Sequence, residues 1–268
     1  MKLTVLVDNN TFIDQYHLGE PAVCYYIEDE ATRLLLDTGY SDVFIRNAKA
    51  LSIDLTSISA IAFSHGHDDH TRGLKYLNQY LTLKNIDIIA HPDTFKERVT
   101  GETPIGSPIS ETYLKKNSRL KLTKTPLKIS QHITFLGEIP PSNTFERRKP
   151  FGIIKDKDAI HKDFVMDDTA LVHKGNNGLF IITGCSHSGI CNIIEYAKQV
   201  CEDNRIIGVI GGFHLFEVST QLHETIRYFQ ENQTRELYPC HCVSFAAKAE
   251  IHKFIPIHEV GVGLKIEV

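Results

Sequence analysis

The sequence reads as an α/β protein in which strand-rich segments alternate with amphipathic helices. Two observations carry that assignment. Apolar runs of strand length, such as residues 58–63 and 179–183, alternate with stretches whose apolar residues recur every three to four positions, as Ile190, Ile193, Ile194, Ala197 and Val200 do within 189–201. Turn signals sit between the runs, the strongest being Gly175-Asn176-Asn177-Gly178, which predicts a hairpin joining 170–174 to 179–183. Strands with helices between them fit two sheets covered by helices.

The elements follow in order. Residues 2–7 read as a first strand, and 22–28 and 33–37 as two more around the polar Glu28-Asp29-Glu30 turn. Residues 41–50 have helical spacing, with Val43, Phe44, Ala48 and Leu51 on one face and Ser41 as N-cap. The run 58–63 predicts a strand, 71–77 the opening of a helix, and 86–90 a strand ending at His91-Pro92. Pro92-Asp93 reads as a helix start, and His91 is not assigned to a site. Residues 100–168 break the periodicity and are rich in Gly, Pro, Ser and Lys, so they read as a loop-rich insertion with short strands at 120–124 and 133–136. Within it, 143–165 is placed to cover a site. Alternation then returns, with helices at 189–201, 219–231 and 244–253 and strands at 205–210, 235–238 and 263–268. The whole, 1–268, is expected as one domain carrying that insertion.

Composition excludes several classes. With 42% hydrophobic and 23% charged residues and a net charge of −4, the 268-residue chain has the profile of a soluble globular protein and lacks the basic excess of a nucleic-acid binder. No apolar run reaches the roughly eighteen residues of a membrane span. Residues 1–7 are too short for a secretory signal, so a cytoplasmic location is expected. The six cysteines, Cys24, Cys185, Cys191, Cys201, Cys240 and Cys242, are too dispersed for a zinc ribbon or a disulfide scaffold. Cys191 and Cys201 read as core thiols, while Cys240 and Cys242 flank His241.

The densest chemistry lies at His65-Gly66-His67-Asp68-Asp69-His70, where three imidazoles and two carboxylates share six residues at the end of a strand. The expectation is a tight loop in which Gly66 lets the backbone turn. There His65 and His67 point one way, and Asp69 and His70 turn toward a second point close by. That pattern suits two adjacent metal ions, one held by histidines and one by Asp plus His. Asp37 ends the strand 33–37. It is read either as a turn residue or as a carboxylate orienting one of the ligating histidines. In the insertion, Arg147-Arg148-Lys149 is either a solvated loop cluster or a partner for an anionic group.

His65-x-His67-x-Asp69-His70 resembles the H-x-H-x-D-H signature of the metallo-β-lactamase fold superfamily. Leu34-Leu35-Leu36-Asp37-Thr38-Gly39 and Thr183-Gly184-Cys185-Ser186-His187-Ser188-Gly189 resemble further motifs of that superfamily. Gly211-Gly212-Phe213-His214-Leu215 and Pro239-Cys240-His241-Cys242 are similar to a narrower branch, which comprises dihydropterin-methyl-ribofuranosylaminobenzene phosphate synthase-like proteins and metal-dependent hydrolases. The resemblance implies an αββα sandwich. It also implies His187 as third ligand of the first metal with His65 and His67, and His241 as ligand of the second metal with Asp69 and His70. Where most members carry Asp or Cys, this chain has His214, which stands as a metal ligand, a general acid or a substrate hydrogen-bond partner. Asp168 in the Asp167-Asp168 pair is a candidate for approaching the metals or a substrate amine, or is a strand-entry acid in solvent. Arg72 replaces the usual Gly after the metal loop and is a candidate anion contact.

Together these readings predict a metal-dependent hydrolase. Two divalent ions would make a hydroxide from a bound water and polarise an ester or phosphoester, with Asp69 and His214 as catalytic residues. Zinc is the favoured metal, and iron and manganese suit the same donors. The expected partner is a small, anionic molecule, with no nucleic acid or membrane. Two alternatives share the same ligands: a transferase condensing a dihydropterin pyrophosphate with an aminobenzene ribosyl phosphate, and a non-catalytic metal- or ligand-binding protein.

Overall fold

The computed structural model describes residues 1–156 and 159–268, so Lys157 and Asp158, inside the segment read as an insertion, lie outside the described residues. The strands are β1 (Lys2–Val7), β2 (Cys24–Asp29), β3 (Thr32–Leu36), β4 (Ala60–Ala62), β5 (Asp87–Ala90), β6 (Glu97–Thr100), β7 (Thr103–Pro104), β8 (Arg119–Leu122) and β9 (Leu127–Lys128). They continue with β10 (Ile133–Phe135), β11 (Ile153–Asp156), β12 (Ala159–Lys162), β13 (Ala170–Gly175), β14 (Gly178–Thr183), β15 (Ile206–Gly211), β16 (Glu236–Pro239) and β17 (Lys265–Glu267). The helices are α1 (Val43–Ala50), α2 (Asp68–Thr71), α3 (Leu74–Tyr80), α4 (Glu111–Asn117), α5 (Ile190–Cys201), α6 (Thr220–Glu231) and α7 (Phe245–Phe254).

Among the described residues three sheets form: seven strands in the order β17-β1-β2-β3-β4-β5-β8, six in the order β16-β15-β14-β13-β10-β9, and four in the order β12-β11-β6-β7. Strand alternation explains how the first two stack. Successive side chains point to opposite faces, so Leu34 and Leu36 of β3 join Phe135, Leu171, Phe180 and Ile182 of the second sheet in one buried cluster. Leu35 between them points outward, to Phe44 of α1, Leu74 and Leu77 of α3 and Leu114 of α4. On the other side Val172, Leu179, Ile181 and Val209 meet Ile190 and Ile194 of α5, Leu222 and Ile226 of α6, and Ala247 and Ile251 of α7. The result is the expected four layers, helix-sheet-sheet-helix. Each fully buried Leu, Ile or Phe in them contributes about 1.5–3 kcal/mol of transfer free energy.

Three local expectations are corrected. The stretch 100–168 is not a single insertion: β8 completes the edge of the seven-stranded sheet, and β9 and β10 complete the six-stranded one. What stands apart is the small sheet, in which β6 and β7 pair with β11 and β12, and the strandless connection 136–152. The helix after the metal loop begins earlier than expected, because Asp68, Asp69 and His70 already form the turn α2. Asp42 rather than Ser41 is the residue before α1, and the Ser41 hydroxyl accepts instead from Val43 N at 3.2 Å while donating to Glu20 at 2.5 Å. No helix among the described residues is long and apolar enough to cross a membrane.

Candidate metal centre

The site lies where parallel strands of both large sheets end. In the seven-stranded sheet β3, β4 and β5 run parallel, and in the six-stranded sheet β14, β15 and β16 do. Carboxyl ends of parallel strands are where open α/β sheets bind ligands. Asp37 follows β3, and His65 and His67 follow β4, while His187, His214 and His241 follow β14, β15 and β16. Asp37, Ser186, His214 and His241 have left-handed backbones, with φ of 60°, 58°, 50° and 51°. Such torsions cost non-glycine residues on the order of 1–3 kcal/mol and persist where the surroundings over-determine them.

The imidazoles converge. His65 Nε2 and His67 Nδ1 lie 2.9 Å apart, close enough for both to reach a cation that each would hold at about 2.0–2.1 Å. The His187 ring centre is 4.9 Å from that of His65 and 5.0 Å from that of His67. Beside this trio, Asp69 Oδ2 sits 3.5 Å from His70 Nε2 and 3.3 Å from His241 Nε2. Two buried nitrogens, His67 Nε2 and His187 Nε2, have no hydrogen-bond partner. Unpaired buried imidazole nitrogens at the centre of a His/Asp cluster are what a cation would satisfy, so these residues fit the two divalent ions expected of the motif.

The frame beneath is built from the chain's own carboxylates. Asp37, fully buried, accepts from Ser64 N at 2.8 Å and Ser64 Oγ at 2.6 Å, and contacts His70 Nδ1 at 2.7 Å. That pairing leaves His70 Nε2 free to face Asp69 and His241. Arg98 is also fully buried; its guanidinium bonds Asp163 at 2.7 Å, Asp167 at 2.6 Å and the Thr94 carbonyl at 3.2 Å. Gly66 lies against it: a Cβ there would come within 1.8 Å of Arg98 Nη1 and 2.1 Å of the Thr94 carbonyl. Gly66 is therefore required for space and not, as read from sequence, for a special torsion. Gly184 plays the same part opposite, where a Cβ would meet Ser64 Oγ at 2.1 Å.

Protonation follows from this packing. Burial, reinforced by neighbouring imidazoles, pushes His65 and His187 well below the usual histidine range. Burial likewise lowers His67 to about 4. Burial would also lower His70, but Asp69 and Asp37 outweigh it and raise that ring to about 9. Asp69 shows the converse balance: burial works to raise it, yet His70 and His241 hold it far below the usual carboxylate range.

A cavity of about 430 Å³ opens beside His187 and His214, with Arg147, Lys149, Phe151 and Phe216 also in its lining. The Phe151 ring is 5.1 Å from that of His67, and the Phe216 ring 4.8 Å from that of His214. The His214 ring is tilted by 45° against that of His187 with ring centres 4.3 Å apart, and burial, with His241 nearby, lowers its pKa.

The structure thus brings together His65, His67, Asp69, His70, His187, His214 and His241, with Asp37 beneath. Of the other candidates, Arg147 lines the cavity, whereas Arg72, Arg148 and Asp168 are engaged by protein groups. Arg72 donates to Tyr40 Oη at 2.8 Å and stacks over the Tyr40 ring. Arg148 donates to the Val165 and Ile139 carbonyls and ties the connection 136–152 to the segment before β13, which leaves Arg147 and Lys149 as the cations lining the cavity. Asp168 is fully buried, not solvated, and its Oδ2 accepts from Ser188 N at 2.9 Å and Ser188 Oγ at 2.5 Å, so it braces the turn carrying His187, while its Oδ1 is buried without a hydrogen-bond partner. Two groups escaped the sequence reading. Arg98 carries no motif, and Cys185 was visible only as a residue two positions before His187.

The comparisons agree with this geometry. Residues 18–200 match the family model described as the metallo-beta-lactamase superfamily. An uncharacterised protein of Methanocaldococcus jannaschii is 36% identical over 252 residues, covering 93% of each chain. A second protein of that organism, named 7,8-dihydropterin-6-methyl-4-(beta-D-ribofuranosyl)-aminobenzene-5'-phosphate synthase, is 30% identical over 90% of this chain and 85% of its own length. The crystal structure of Tm1679, described as a metal-dependent hydrolase of the beta-lactamase superfamily, superposes with a TM-score of 0.84 at 29% identity, covering 100% of this chain and 99% of that one. With the four-layer fold and the His/Asp cluster at its strand ends, these matches establish that the chain belongs to the metallo-beta-lactamase superfamily.

Proposed function

We propose that the chain is a metal-dependent hydrolase with a binuclear site, acting on an ester or phosphoester of a small anionic molecule. The observation that carries this reading is the convergence of two donor sets, His65/His67/His187 and Asp69/His70/His241, beside a cavity that His187 lines. Divalent cations held there, zinc being favoured by the imidazole-rich donors, supply Lewis acidity and lower the pKa of water toward neutrality.

The protein groups have separate tasks in this reading. Arg147 and Lys149 meet an anionic substituent at the cavity wall, and Phe151 and Phe216 offer apolar faces to the remainder of the substrate. Asp37 holds the His70 tautomer by accepting a hydrogen bond from Nδ1–H, so that Nε2 faces the site. His214 is the one imidazole of the cluster that lines the cavity yet falls outside both groups of ligand atoms. Its lowered pKa keeps it neutral near pH 7, which suits a hydrogen-bond donor to substrate or leaving-group oxygen better than a standing imidazolium acid.

The relative named as a synthase favours a second reading, in which the same residues would hold cations that neutralise a pyrophosphate leaving group while an amine attacks in place of water. The two readings separate on one variant and one ligand. His67→Ala is expected to abolish turnover of activated esters and phosphodiesters while circular dichroism stays that of the parent. Unchanged turnover in that variant would overturn the hydrolase mechanism. Tight pyrophosphate binding by a parent protein that hydrolyses nothing would favour the transferase.

A further inference from the structure

Cys185 lies between the two donor sets. Its Sγ forms one group with ligand atoms of His65 and His187 and another with ligand atoms of His70 and His241, all atoms of each group lying within 4.8 Å of one another. No other residue among those described belongs to both groups. The thiol is buried, and its Sγ contacts His70 Nε2 at 3.2 Å, the nitrogen that Asp37 leaves facing the site. The backbone that aims it is fixed by Gly184 against Ser64, and by Ser186, whose left-handed turn is held by a 2.7 Å hydrogen bond from its hydroxyl to the Gly212 carbonyl.

Charge points the same way. Two divalent cations bring four positive charges, and the imidazoles bring none in return. Asp69 is the one carboxylate among the described residues with ion-pair contacts to both histidines of the second set. Asp37 is engaged by Ser64 and His70, one oxygen of Asp167 by Arg98 and one oxygen of Asp168 by Ser188, and neither Asp167 nor Asp168 belongs to the two groups of ligand atoms. Two adjacent dications need a further anion between them, and a thiolate is a strong zinc ligand. The buried, partnerless His67 Nε2 and His187 Nε2 are independent signs that a cation belongs here.

We propose that the Cys185 thiolate is a ligand shared by the two cation positions, standing where a bridging carboxylate would otherwise be sought. The inference rests on the binuclear reading above. On loading, the thiol proton passes to bulk buffer and sulfur takes the cation in its place. Cys242, whose Sγ lies 3.5 Å from the Cys185 carbonyl oxygen, belongs to neither group and serves as a neighbouring control.

The test uses the full chain, stripped with a chelator and titrated with cobalt(II). Two equivalents are expected to bind, with a near-ultraviolet sulfur-to-cobalt charge-transfer band that grows through both. Cys185→Ser is expected to lose the band and to weaken cobalt binding by about 100-fold or more, beyond the effect of removing a ligand's supporting partner. Cys242→Ser is expected to keep the band. Two equivalents without a band in the parent chain, or a band that survives Cys185→Ser, would overturn the thiolate assignment and leave the binuclear reading standing. A single equivalent would overturn the shared placement together with that reading. If the serine variant does not fold, the parent titration decides the matter alone.

Discussion

The two large sheets contribute to the centre in different ways. The seven-stranded sheet delivers His65, His67, Asp69 and His70 from one connection, so four donors arrive together and share one frame of Asp37, Ser64 and Arg98. The six-stranded sheet delivers Cys185 and His187, His214, and His241 from three successive strand ends, each held by its own left-handed turn. The first arrangement concentrates donors and makes them depend on one another. The second spreads them, so that a single loss leaves its neighbours in place.

The largest effect tests that difference directly. His65 is fully buried and its ring centre is 4.2 Å from that of His70, so removing it disturbs both donor sets. His65→Ala is expected to lose both tightly bound cations and to reduce hydrolysis to background. His241 comes alone from the end of β16, and its loss leaves Asp69 and His70. His241→Ala is expected to retain about one equivalent, with the second weakened by roughly 100-fold or more, beyond the effect of losing a supporting partner. Elemental analysis after dialysis against a weak chelator reads both outcomes, and equal losses in the two variants would erase the distinction between the sheets.

Much of this contrast was legible in the sequence, for a physical reason. Donors packed into six consecutive residues leave a signature that needs no tertiary information, and the second-sheet histidines showed themselves as polar residues ending apolar runs. The four layers were legible because residues such as Leu34, Leu35 and Leu36 had to divide between two faces. Cys185 was not: a lone thiol near a histidine says nothing until β14 places it between two clusters. Arg98 was hidden because its partners Asp163 and Asp167 lie 65 and 69 residues away, in the segment that read as loop. Short strands at 120–124 and 133–136 were legible there, but β8, β9 and β10, only 4, 2 and 3 residues long, gave no sign that they complete the two large sheets. Gly66 was singled out correctly but for a torsion it does not adopt; its need for space follows from an arginine that the local sequence does not reveal.

The next prediction concerns that arginine, because the first-sheet loop rests on it. Arg98→Met leaves Asp163 and Asp167 buried without their cation, and breaking a buried ion pair from one side costs about 3–5 kcal/mol. Urea unfolding of metal-free protein is the measurement, so that cation binding does not mask the loss. A change below about 1 kcal/mol would mean that water hydrates the two carboxylates and that the loop's frame is Asp37 and Ser64 alone.

The smallest effect lies away from the site, at the joint between the sheets. His173 of β13 is buried with its Nε2 3.8 Å from Asp29 of the opposite sheet. Burial, with the N-terminal ammonium adding to it and Asp29 opposing, lowers this histidine from its ordinary 6.5 to about 4. The folded protein therefore keeps His173 neutral where the unfolded chain has already taken up a proton. Its contribution is present above pH 6.5 and is lost as pH falls from there toward 4. His173→Gln removes the titration, so thermal unfolding at pH 7 and pH 4.5 is expected to show a drop in Tm smaller than the parent's by a few degrees. The opposite order, with the variant losing more on acidification, would mean that protonated His173 gains more from Asp29 than burial takes away, and that the two sheets are joined there by charge and not by packing.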